Sequence, residues 1–525
     1  MDSRQLISTA GSGPVLGELF RLRAMERAGR VAIRDPLRTL TFTQLNQRVN
    51  QLAHALLAAG ITTGDRIAIM SENRTEYLEL QLACAKAGIV AACQNWRLSD
   101  AELTHCISLV SPKLIFCSER HAASIRRLGL DIPQTVLLGE AYETLLRQHS
   151  SQEPPCAVRP EDGLLILYTS GTTGFPKGAL ISHRAMIARA ALMFADWSLT
   201  QEEAYVAWSP LFHLSGADLS LGSLIQGGRV VICDGFNQQQ LGDVIASEKI
   251  NWLITVPGMI ERTMAEVRTR KIVPKGIRLI GSMPDLLQPQ LIAEVTTLFQ
   301  APFLNSFGAT ETGMAPASKT LIPIGHAPTS FDKEQSSFCQ VRLVDHDDNE
   351  VPTGAVGEMT LRSPTLFSGY WNAEETNLRE FRDGWFHMGD MFRRNEDGTL
   401  AFVDRKKYLI KSGGENVYPA EIEKVLLACD RIAEVAVVRK PDAQWGEVPA
   451  AFVVRRDPSL TEEQVVALCR GAIAGYKIPK SVHFVESTDI PRSETGKVKR
   501  HELEKMVALF GIRGDGGQVT RPVRQ

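Results

Sequence analysis

The sequence predicts an α/β protein. We expect a large N-terminal domain of parallel α/β layers with a small β subdomain, followed by a smaller α+β C-terminal domain. Helical and strand patterns alternate early in the chain, short β runs follow residue 340, and a second alternation begins after residue 404. The length of 525 residues allows about three structural units.

The first alternation begins with a helix over residues 43–59, where apolar side chains recur at helical spacing and Gly60 supplies a left-handed stop. A strand over Arg66–Met70, a helix over 76–87 and a strand over 89–93 follow. Because helices separate successive strands, we expect a parallel sheet with helices on its faces.

The β subdomain is predicted from three short β runs, over residues 341–344, 357–362 and 400–403. The turn signals Asp347-Asp348-Asn349 and Asp397-Gly398 lie between these runs. This pattern is typical of antiparallel strands.

The C-terminal domain is predicted from a compact pattern of strands and helices after Asp404. Thr461 and Gln464 form a capping-box start for one of its helices. We place the domain boundary near residue 406, which gives domains of 1–406 and 407–525. The predicted helices cover 420–428 and 501–509, and the predicted strands cover 434–438, 450–454 and 482–485. The polar, glycine-rich tail over 511–525 is expected to be disordered.

Composition and charge exclude several classes of protein. A net charge of −2 excludes a globally basic nucleic-acid binder, so we expect no nucleic-acid partner. The nine cysteines include no C-x-x-C pair, and no signal peptide is evident, which favours a cytoplasmic location. The longest apolar runs are far shorter than the roughly 20 residues of a membrane-spanning helix.

A loop rich in glycine and hydroxyl groups follows a predicted strand over residues 164–168. Its residues are Thr169, Ser170, Gly171, Thr172, Thr173, Gly174, Phe175, Pro176, Lys177 and Gly178. Ser182 then begins a predicted helix. Glycines let backbone N–H groups approach an anion and the lysine adds charge, so we expect a strand–loop–helix phosphate cradle. A Walker loop is disfavoured, because that motif needs Ser or Thr directly after its lysine.

Residues 168–178 resemble the signature loop of the adenylate-forming superfamily of acyl-CoA synthetases, adenylation domains and luciferases. Four further segments resemble motifs of this superfamily in the same order: Ser306–Glu311, Phe386–Asp390, Asp404–Glu423 and Pro491–Lys497. The resemblance implies an acyl-CoA synthetase-like fold with a mobile C-terminal domain. It leaves homodimer formation open.

The implied reaction has two halves. A carboxylate attacks the α-phosphate of ATP to give an acyl-adenylate and pyrophosphate, and the thiol of coenzyme A then displaces AMP. The resemblance makes Glu311 the magnesium ligand, and Thr310 a donor to the α-phosphate. Phe307 and Gly308 would contact adenine, together with the turn at Ser282 and Met283. Phe307 stands where the superfamily usually has tyrosine.

The remaining roles around the nucleotide are also implied by the resemblance. Asp390 would accept both ribose hydroxyls, and Arg405 would contact the ribose or a phosphate. Lys497 would bridge the substrate carboxylate and the α-phosphate. His213 resembles the aromatic gate beside the acyl pocket, and Lys407 is the expected hinge.

The thiol side of the reaction is assigned by resemblance to acyl-CoA ligases. Gly414 and Trp445 resemble the walls of the pantetheine tunnel. The residues that would hold the nucleotide end of coenzyme A are Arg97, Tyr476, Lys477 and Lys480.

The predicted acyl pocket is lined by small residues, namely Ser215, Gly216, Ala217, Ala309 and Gly313. These stretches contain no arginine that could pair with a second carboxylate, and Asp218 would repel one if it faced inward. An apolar aryl, alicyclic or medium- to long-chain monoacid is therefore favoured. Asp218 keeps an amino-acid substrate open.

Two other functions stay open. The chain could be a free-standing adenylation enzyme that loads a separate carrier protein. It could also be a nucleotide-binding protein without catalysis, although Lys177, Glu311, Asp390 and Lys497 argue against that alternative.

Overall fold

The computed structural model describes residues 13–155, 157–169, 175–256, 258–412, 415–492 and 498–510. The chain forms two compact units. The larger unit contains Met1–Arg342, Thr360–His387 and Gly398–Leu400, and the smaller unit contains Leu343–Met359, Met388–Asp397 and Ala401–Gln525. The predicted boundary near residue 406 stays a prediction. The two compact units do not divide the chain at a single point, since two short segments before residue 400 belong to the smaller unit.

The larger unit alternates helices and strands over its first 320 residues. Its helices are α1 (Leu16–Glu26), α2 (Phe42–Ala58), α3 (Thr75–Ala87), α4 (Asp100–Val110), α5 (Glu119–Leu128), α6 (Glu140–Arg147), α7 (His183–Trp197), α8 (Leu214–Gln226), α9 (Gln238–Ser247), α10 (Met259–Thr269), α11 (Pro289–Phe299) and α12 (Glu374–Glu380). Its strands are β1 (Val31–Arg34), β2 (Thr39–Thr41), β3 (Arg66–Met70), β4 (Val90–Cys93), β5 (Leu114–Ser118), β6 (Thr135–Leu138), β7 (Gly163–Thr169), β8 (Lys177–Ser182), β9 (Ala204–Ala207), β10 (Arg229–Ile232), β11 (Ile250–Leu253), β12 (Ile277–Ile280), β13 (Phe303–Leu304), β14 (Gly308–Ala309), β15 (Gly313–Pro316) and β16 (Leu321–Ile322).

Two largely parallel sheets form the core of the larger unit. One has the order β6-β5-β3-β4-β7-β8, and the other has the order β16-β13-β12-β11-β9-β10-β1-β2. Antiparallel strands lie only at edges of these sheets, at β8, β16 and β2. The predicted parallel α/β layers are therefore confirmed, and Gly60 adopts the left-handed conformation expected after α2, with φ +76°.

One sequence prediction about the glycine-rich loop is wrong. Thr169 at the end of β7 pairs with Lys177 at the start of antiparallel β8, so the loop connects two strands rather than a strand and a helix. Helix α7 begins only after β8, where Ser182 Oγ accepts from Ala185 N at 3.3 Å. Residues 177–182 carry no local signal for a strand, and pairing with β7 gives them their extended form. No helix N-terminus therefore follows the loop directly.

The buried side chain of Asn73 joins the two parallel sheets. It follows β3, and its Nδ2 lies 3.1 Å from the carbonyl oxygen of Ala207, the last residue of β9. The same nitrogen lies 2.8 Å from Ser209 O and 3.1 Å from Cys233 O, while Oδ1 accepts from Leu211 N at 2.9 Å. Strands of both sheets therefore have their carboxyl ends fixed at one place.

The stretch from 340 to 405 contains β17 (Gln340–Val344), β18 (Val356–Arg362), β19 (Phe381–Arg382), β20 (Trp385–Arg394) and β21 (Leu400–Arg405). The β runs predicted from the sequence thus form strands. Strands β19 and β20 pair antiparallel within the larger unit.

The smaller unit continues with β22 (Ile410–Ser412), β23 (Glu415–Val417), α13 (Pro419–Leu427), β24 (Ile432–Asp442), β25 (Gly446–Arg455), α14 (Glu462–Cys469), β26 (Ser481–Phe484) and α15 (Arg500–Phe510). Its sheet has the order β23-β22-β25-β24, with β26 parallel to β25. Alternate residues of β24 and β25 face opposite sides of this sheet. One side packs on Ile422 and Val465 of α13 and α14, and the other on Leu503 and Val507 of α15. The capping box at Thr461 and Gln464 is present as predicted.

Within the described part of the chain, no helix combines the length and apolar character needed to cross a membrane. The predicted tail over 511–525 lies outside the described residues.

Candidate active site

The predicted adenine turn lies against the Ser306 segment. Met283 N donates to Ser306 Oγ at 3.1 Å, and the hydroxyls of Ser282 and Ser306 lie 3.2 Å apart. A Cβ atom at Gly281 would lie 2.1 Å from the ring of Phe303, so the turn needs glycine there. The structure thus brings Ser282 and Met283 together with the strand end that leads to Phe307 and Gly308.

Lys333 supports this turn from within the core, and sequence reasoning missed it. Its side chain has no exposed surface, and Nζ donates to Asp285 Oδ1 at 2.8 Å, Asn305 Oδ1 at 2.8 Å and Phe331 O at 3.0 Å. A buried ammonium needs such partners. In sequence it stands between Asp332 and Glu334, a pattern typical of a solvated surface, so no local signal indicated its role.

Tyr370 connects two of the predicted site residues and was also missed. Its hydroxyl donates to Glu311 Oε1 at 2.7 Å, and Lys177 Nζ lies 4.2 Å from the centroid of its ring. Burial, with the Glu311 carboxylate, raises the pKa of Tyr370 well above its ordinary value, so the phenol stays a donor. Glu311 and Lys177 are 134 positions apart in sequence, and Tyr370 brings both to one place.

The backbone places Tyr370 at this position. Residues 368–371 run beside β8, because Leu180 N donates to Gly369 O at 3.0 Å and Trp371 N donates to Gly178 O at 2.8 Å. Phe367 N donates to Glu311 O at 2.8 Å. The same short segment therefore holds both the strand that carries Lys177 and the loop that carries Glu311.

The donor set at Glu311 fits the magnesium ion that the resemblance implies. Tyr370 engages one carboxylate oxygen, and a carboxylate offers about four lone-pair sites. Mg²⁺ usually takes one or two carboxylates and completes its shell with waters and phosphate oxygens. Glu311 would hold the ion, which would neutralise charge on the phosphates of ATP.

The smaller unit brings Asp390 and Arg405 together, as their assignment to the ribose requires. Asp390 is buried, and Arg405 Nε lies 3.1 Å from its Oδ1. The adjacent Asp404 is occupied structurally, because its Oδ2 accepts from Ala420 N at 2.8 Å at the start of α13. This contact fixes the chain just before the expected hinge.

Lys407 lies in a short 3₁₀ turn, Lys406–Tyr408, between β21 and β22. Its Nζ lies 4.8 Å from the centroid of the Tyr408 ring, and its carbonyl oxygen accepts from Arg439 Nη2. Lys406 Nζ pairs with the buried Glu358 at 2.7 Å. The two lysines of this turn thus have different surroundings.

The predicted catalytic lysine, Lys497, lies outside the described residues. On either side of residues 493–497, Arg492 pairs with Val498, and Lys499 N donates to Pro491 O at 2.8 Å. The two ends of the segment that carries Lys497 therefore lie next to each other.

Helix α15 directly follows this segment and is held by its first residue, Arg500. The guanidinium donates to both carboxylate oxygens of the buried Glu423 on α13, at 2.5 and 2.9 Å. Arg500 also contacts Val437 O on β24.

The residues proposed for coenzyme A fall into separate groups. Ser412 pairs with Glu415 and with Gly446, the residue after the exposed Trp445. Gly414 lies outside the described residues. Lys477 Nζ donates to both oxygens of Glu421 at 2.8 Å.

The other candidate contacts to coenzyme A are Tyr476, Lys480 and Arg97. Tyr476 and Lys480 are exposed on the smaller unit. Arg97, in the larger unit, stacks over the Trp96 ring with 4.9 Å to its centroid.

His213 is the N-cap residue of α8, and its Nδ1 lies 3.3 Å from Ser215 Oγ. A Cβ at Gly216 would lie 2.1 Å from Pro210 O, so the first turn of this helix is packed against the strand end before it. Whether Asp218 faces the acyl pocket was left open by the sequence, and the structure shows which group it contacts. Its carboxylate is buried and accepts from Arg189 Nη1 at 3.0 Å.

Serine, glycine and threonine residues 170–174 of the phosphate loop lie outside the described residues, so their predicted contacts stay predictions. Thr169 and Lys177 at the two ends of the loop are paired in the sheet.

Comparison with known proteins identifies the class of enzyme. The sequence profile of AMP-binding enzymes matches residues 20–371, and the profile of the AMP-binding enzyme C-terminal domain matches residues 421–497. The chain belongs to the AMP-binding enzyme family, in the group of ATP-dependent acid–thiol ligases. The resemblance to the adenylate-forming superfamily is confirmed.

Individual relatives align over nearly their whole length. An indoleacetate–CoA ligase of Aromatoleum aromaticum is 34% identical over 94% of this chain and 98% of its own. The fatty acid–[acyl-carrier-protein] ligase ScoC of Streptomyces coeruleorubidus is 32% identical over 89% of this chain and 91% of its own. The o-succinylbenzoate coenzyme A synthetase of Bacillus subtilis, solved with ATP and a magnesium ion, is 26% identical over 92% and 98%, with a TM-score of 0.79.

We predict that replacing Lys407 makes stability depend less on pH. Burial, with the nearby Arg405 guanidinium, lowers the pKa of Lys407 to about 8, against about 10.4 in an unfolded chain. The unfolded chain holds this proton more tightly, so the charged lysine opposes folding below about pH 8, and the opposition fades as pH rises to about 10. Lys407→Met should therefore unfold at a slightly higher temperature than wild type at pH 7.

Thermal unfolding at several pH values checks this prediction. The difference between Lys407→Met and wild type should narrow between pH 8 and 10. Lys406→Met is the control, since it loses the pair with Glu358 and should not gain stability at pH 7. If the unfolding temperature of Lys407→Met exceeded that of wild type by the same amount up to pH 10, the lowered pKa of Lys407 would be contradicted.

Proposed function

We propose that this protein activates an apolar monocarboxylic acid with ATP and transfers the acyl group to coenzyme A. The observation that carries the proposal is the meeting of Glu311, Tyr370 and Lys177 in the larger unit. A carboxylate that would hold magnesium and an ammonium that would bind phosphate both contact one tyrosine. Such a pair suits the transfer of a nucleotide phosphate, in which developing negative charge must be stabilised.

The residues would divide the chemistry as follows. Lys177 and the loop over 169–174 would bind phosphate oxygens, and Thr310 would donate to the α-phosphate. Asp390 and Arg405, which pair at 3.1 Å, would bind the ribose. Lys497 would approach both the acid and the α-phosphate, because a compact ammonium can contact oxygens of two groups. Thiol attack on the acyl carbon would then release AMP.

The proposed preference for an apolar monoacid rests on the residues around His213. Within the described parts of 213–219 and 307–314 the sequence contains no lysine or arginine. The nearby Arg189 pairs with Asp218, which argues against an amino-acid substrate, because that carboxylate already has a buried cation beside it.

A separate carrier protein is the second candidate acceptor. Lys477, one of the cations proposed to hold coenzyme A, is paired with Glu421, which reduces its charge toward an incoming phosphate. A relative of similar identity is named as an acyl-carrier-protein ligase. The exposed Trp445 beside the turn at Ser412 suits the shared pantetheine arm of either acceptor.

The first test of the function is a pyrophosphate-release screen over carboxylic acids, with and without coenzyme A. Pyrophosphate release with benzoate-like, alicyclic or medium-chain monoacids should be at least about tenfold faster than with malonate or succinate. The second carboxylate of a diacid would be an uncompensated charge in an apolar pocket, and burying it should cost at least this factor in rate. Thioester analysis of the products identifies the acceptor. Dicarboxylates emerging as the best substrates would show that the acyl pocket lies elsewhere.

A further prediction concerns Lys497→Ala. Acid-dependent pyrophosphate release should fall about 100- to 1,000-fold, because a charge that stabilises the transition state is removed. Thioester formation from supplied acyl-adenylate should be spared, since no carboxylate approaches a phosphate in that step. Lys499→Ala is the matched control, a half-buried lysine two residues on that pairs with Glu502 at 3.2 Å. Equal effects of the two substitutions would remove Lys497 from the catalytic set.

The third prediction concerns the hinge. Lys497 and Trp445 are needed in different half-reactions, so we expect the chain after Lys407 to adopt two orientations. Proline fixes φ near −65°. Lys407→Pro should keep acyl-adenylate formation and lose most thioester formation, whereas Lys407→Ala, which leaves φ free, should retain both. Measuring the half-reactions separately decides the matter, and equal losses in both would reject Lys407 as the hinge.

A further inference from the structure

A single buried arginine, Arg189 on α7, contacts the loop that carries Thr310 and Glu311. Only 1% of its side-chain surface is exposed. Nη2 donates to Thr310 O at 3.0 Å, and Nε donates to Thr365 O at 3.0 Å. Nη1 donates to Asp218 Oδ2 on α8, also at 3.0 Å. The planar guanidinium therefore connects two helices, the loop and the segment that leads to Tyr370.

The loop that carries Thr310 and Glu311 is held both by the segment at Phe367 and Tyr370 and by Arg189. Phe367 N holds the carbonyl oxygen of Glu311, and Tyr370 holds its carboxylate. Arg189 holds the carbonyl oxygen of the preceding residue, Thr310, and reaches Thr365 at the start of the same supporting segment. The hydrogen bonds from Arg189 to the carbonyl oxygens of Thr310 and Thr365 thus help to fix the position of the Glu311 carboxylate.

The loop is also shaped to admit the guanidinium. Gly313 has φ +70°, a conformation that side chains rarely adopt. A Cβ atom there would lie 2.8 Å from Arg189 Cγ and 2.9 Å from Cδ. Glycine at 313 is therefore required both by the turn of the loop and by the room that Arg189 occupies.

Asp218 keeps Arg189 in place at an electrostatic cost. The residue is 3% exposed, and among the described residues its Oδ1 has no hydrogen-bond partner. Burial raises the pKa of Asp218, an effect that the charge of Arg189 opposes. A buried ion pair is seldom more stabilising than apolar side chains of the same volume, so stability alone gives little reason for this pair.

We propose that Arg189, oriented by Asp218, is a positioning residue that fixes the Thr310-Glu311 loop for binding of magnesium and ATP. The inference rests on the proposed function, because it takes Glu311 as the magnesium ligand. Arg189 itself would contact neither the nucleotide nor the acid.

The test compares Arg189→Lys with Arg48→Lys. Lysine keeps a positive charge beside Asp218, but a single ammonium lacks the planar fork that reaches three acceptors at once. Arg48 is a matched control, because its guanidinium also bridges two carboxylates, the buried Glu79 and the partly exposed Glu143. In the described part of the chain, its hydrogen bonds go to these two residues and not to residues 308–313. The double variant Arg189→Met/Asp218→Asn removes the ion pair without leaving an unpaired buried charge, should Arg189→Lys fold poorly.

Two measurements are made on the full chain. In acid-dependent pyrophosphate release, Arg189→Lys should need about 10- to 100-fold more Mg²⁺ or lose as much in rate, as expected for a small displacement of a reacting group. Its thioester formation from supplied acyl-adenylate should be unchanged. Hydrogen exchange of the peptide over 308–316 should accelerate in Arg189→Lys and in the double variant, and not in Arg48→Lys.

The outcomes separate this inference from the function on which it rests. If Arg189→Lys and Arg48→Lys lower both half-reactions equally and exchange alike at 308–316, the positioning role is wrong. If wild type releases no pyrophosphate with any acid, the proposed function fails. Unaltered exchange at 308–316 in Arg189→Lys would still refute the positioning role of Arg189 on its own.

Discussion

The two parallel sheets of the larger unit depend on one buried amide, Asn73. It follows β3 of one sheet, while its partners lie at the carboxyl ends of β9 and β10 of the other and in the connection between them. Ligand sites in parallel α/β proteins form where the carboxyl ends of strands meet. Since the amide also binds Leu211 N, it fixes the chain two residues before His213. An unpaired carbonyl in this buried place would be costly, which makes the arrangement specific.

The electrostatics of the candidate site follow from the connection between β7 and β8. Because an antiparallel strand follows the glycine-rich loop, no helix begins directly after it in the described part of the chain. The cation that the described residues place at the end of the loop is Lys177, at the first position of β8. Tyr370 contacts both Lys177, through its ring, and Glu311, through its hydroxyl, so one side chain holds the ammonium and the carboxylate in the same region.

In the smaller unit, a buried carboxylate fixes the first residue of its last helix, α15. Glu423 on α13 receives both Arg500 and the backbone N–H of Val437, which joins two helices and the central sheet around one carboxylate. Breaking such a pair would leave a buried charge and cost about 3–5 kcal/mol. The start of α15, three residues after Lys497, is thereby fixed to the body of the unit. A lysine on a short segment with fixed ends suits a role that requires accurate placement.

The sequence by itself determined the class of fold, the order of the motifs and the chemistry of the family, since these depend on local periodicity, turn residues and contiguous motifs. It could not indicate Tyr370, Lys333 or Arg189, which look like ordinary surface or helix residues when read locally. It left the surroundings of Asp218 open, and it did not predict the strand after the glycine-rich loop. Tertiary structure decided these features. The side chains of Arg189 and Tyr370 acquire their roles from partners that lie 29 or more positions away and meet only after the sheets and helices have packed.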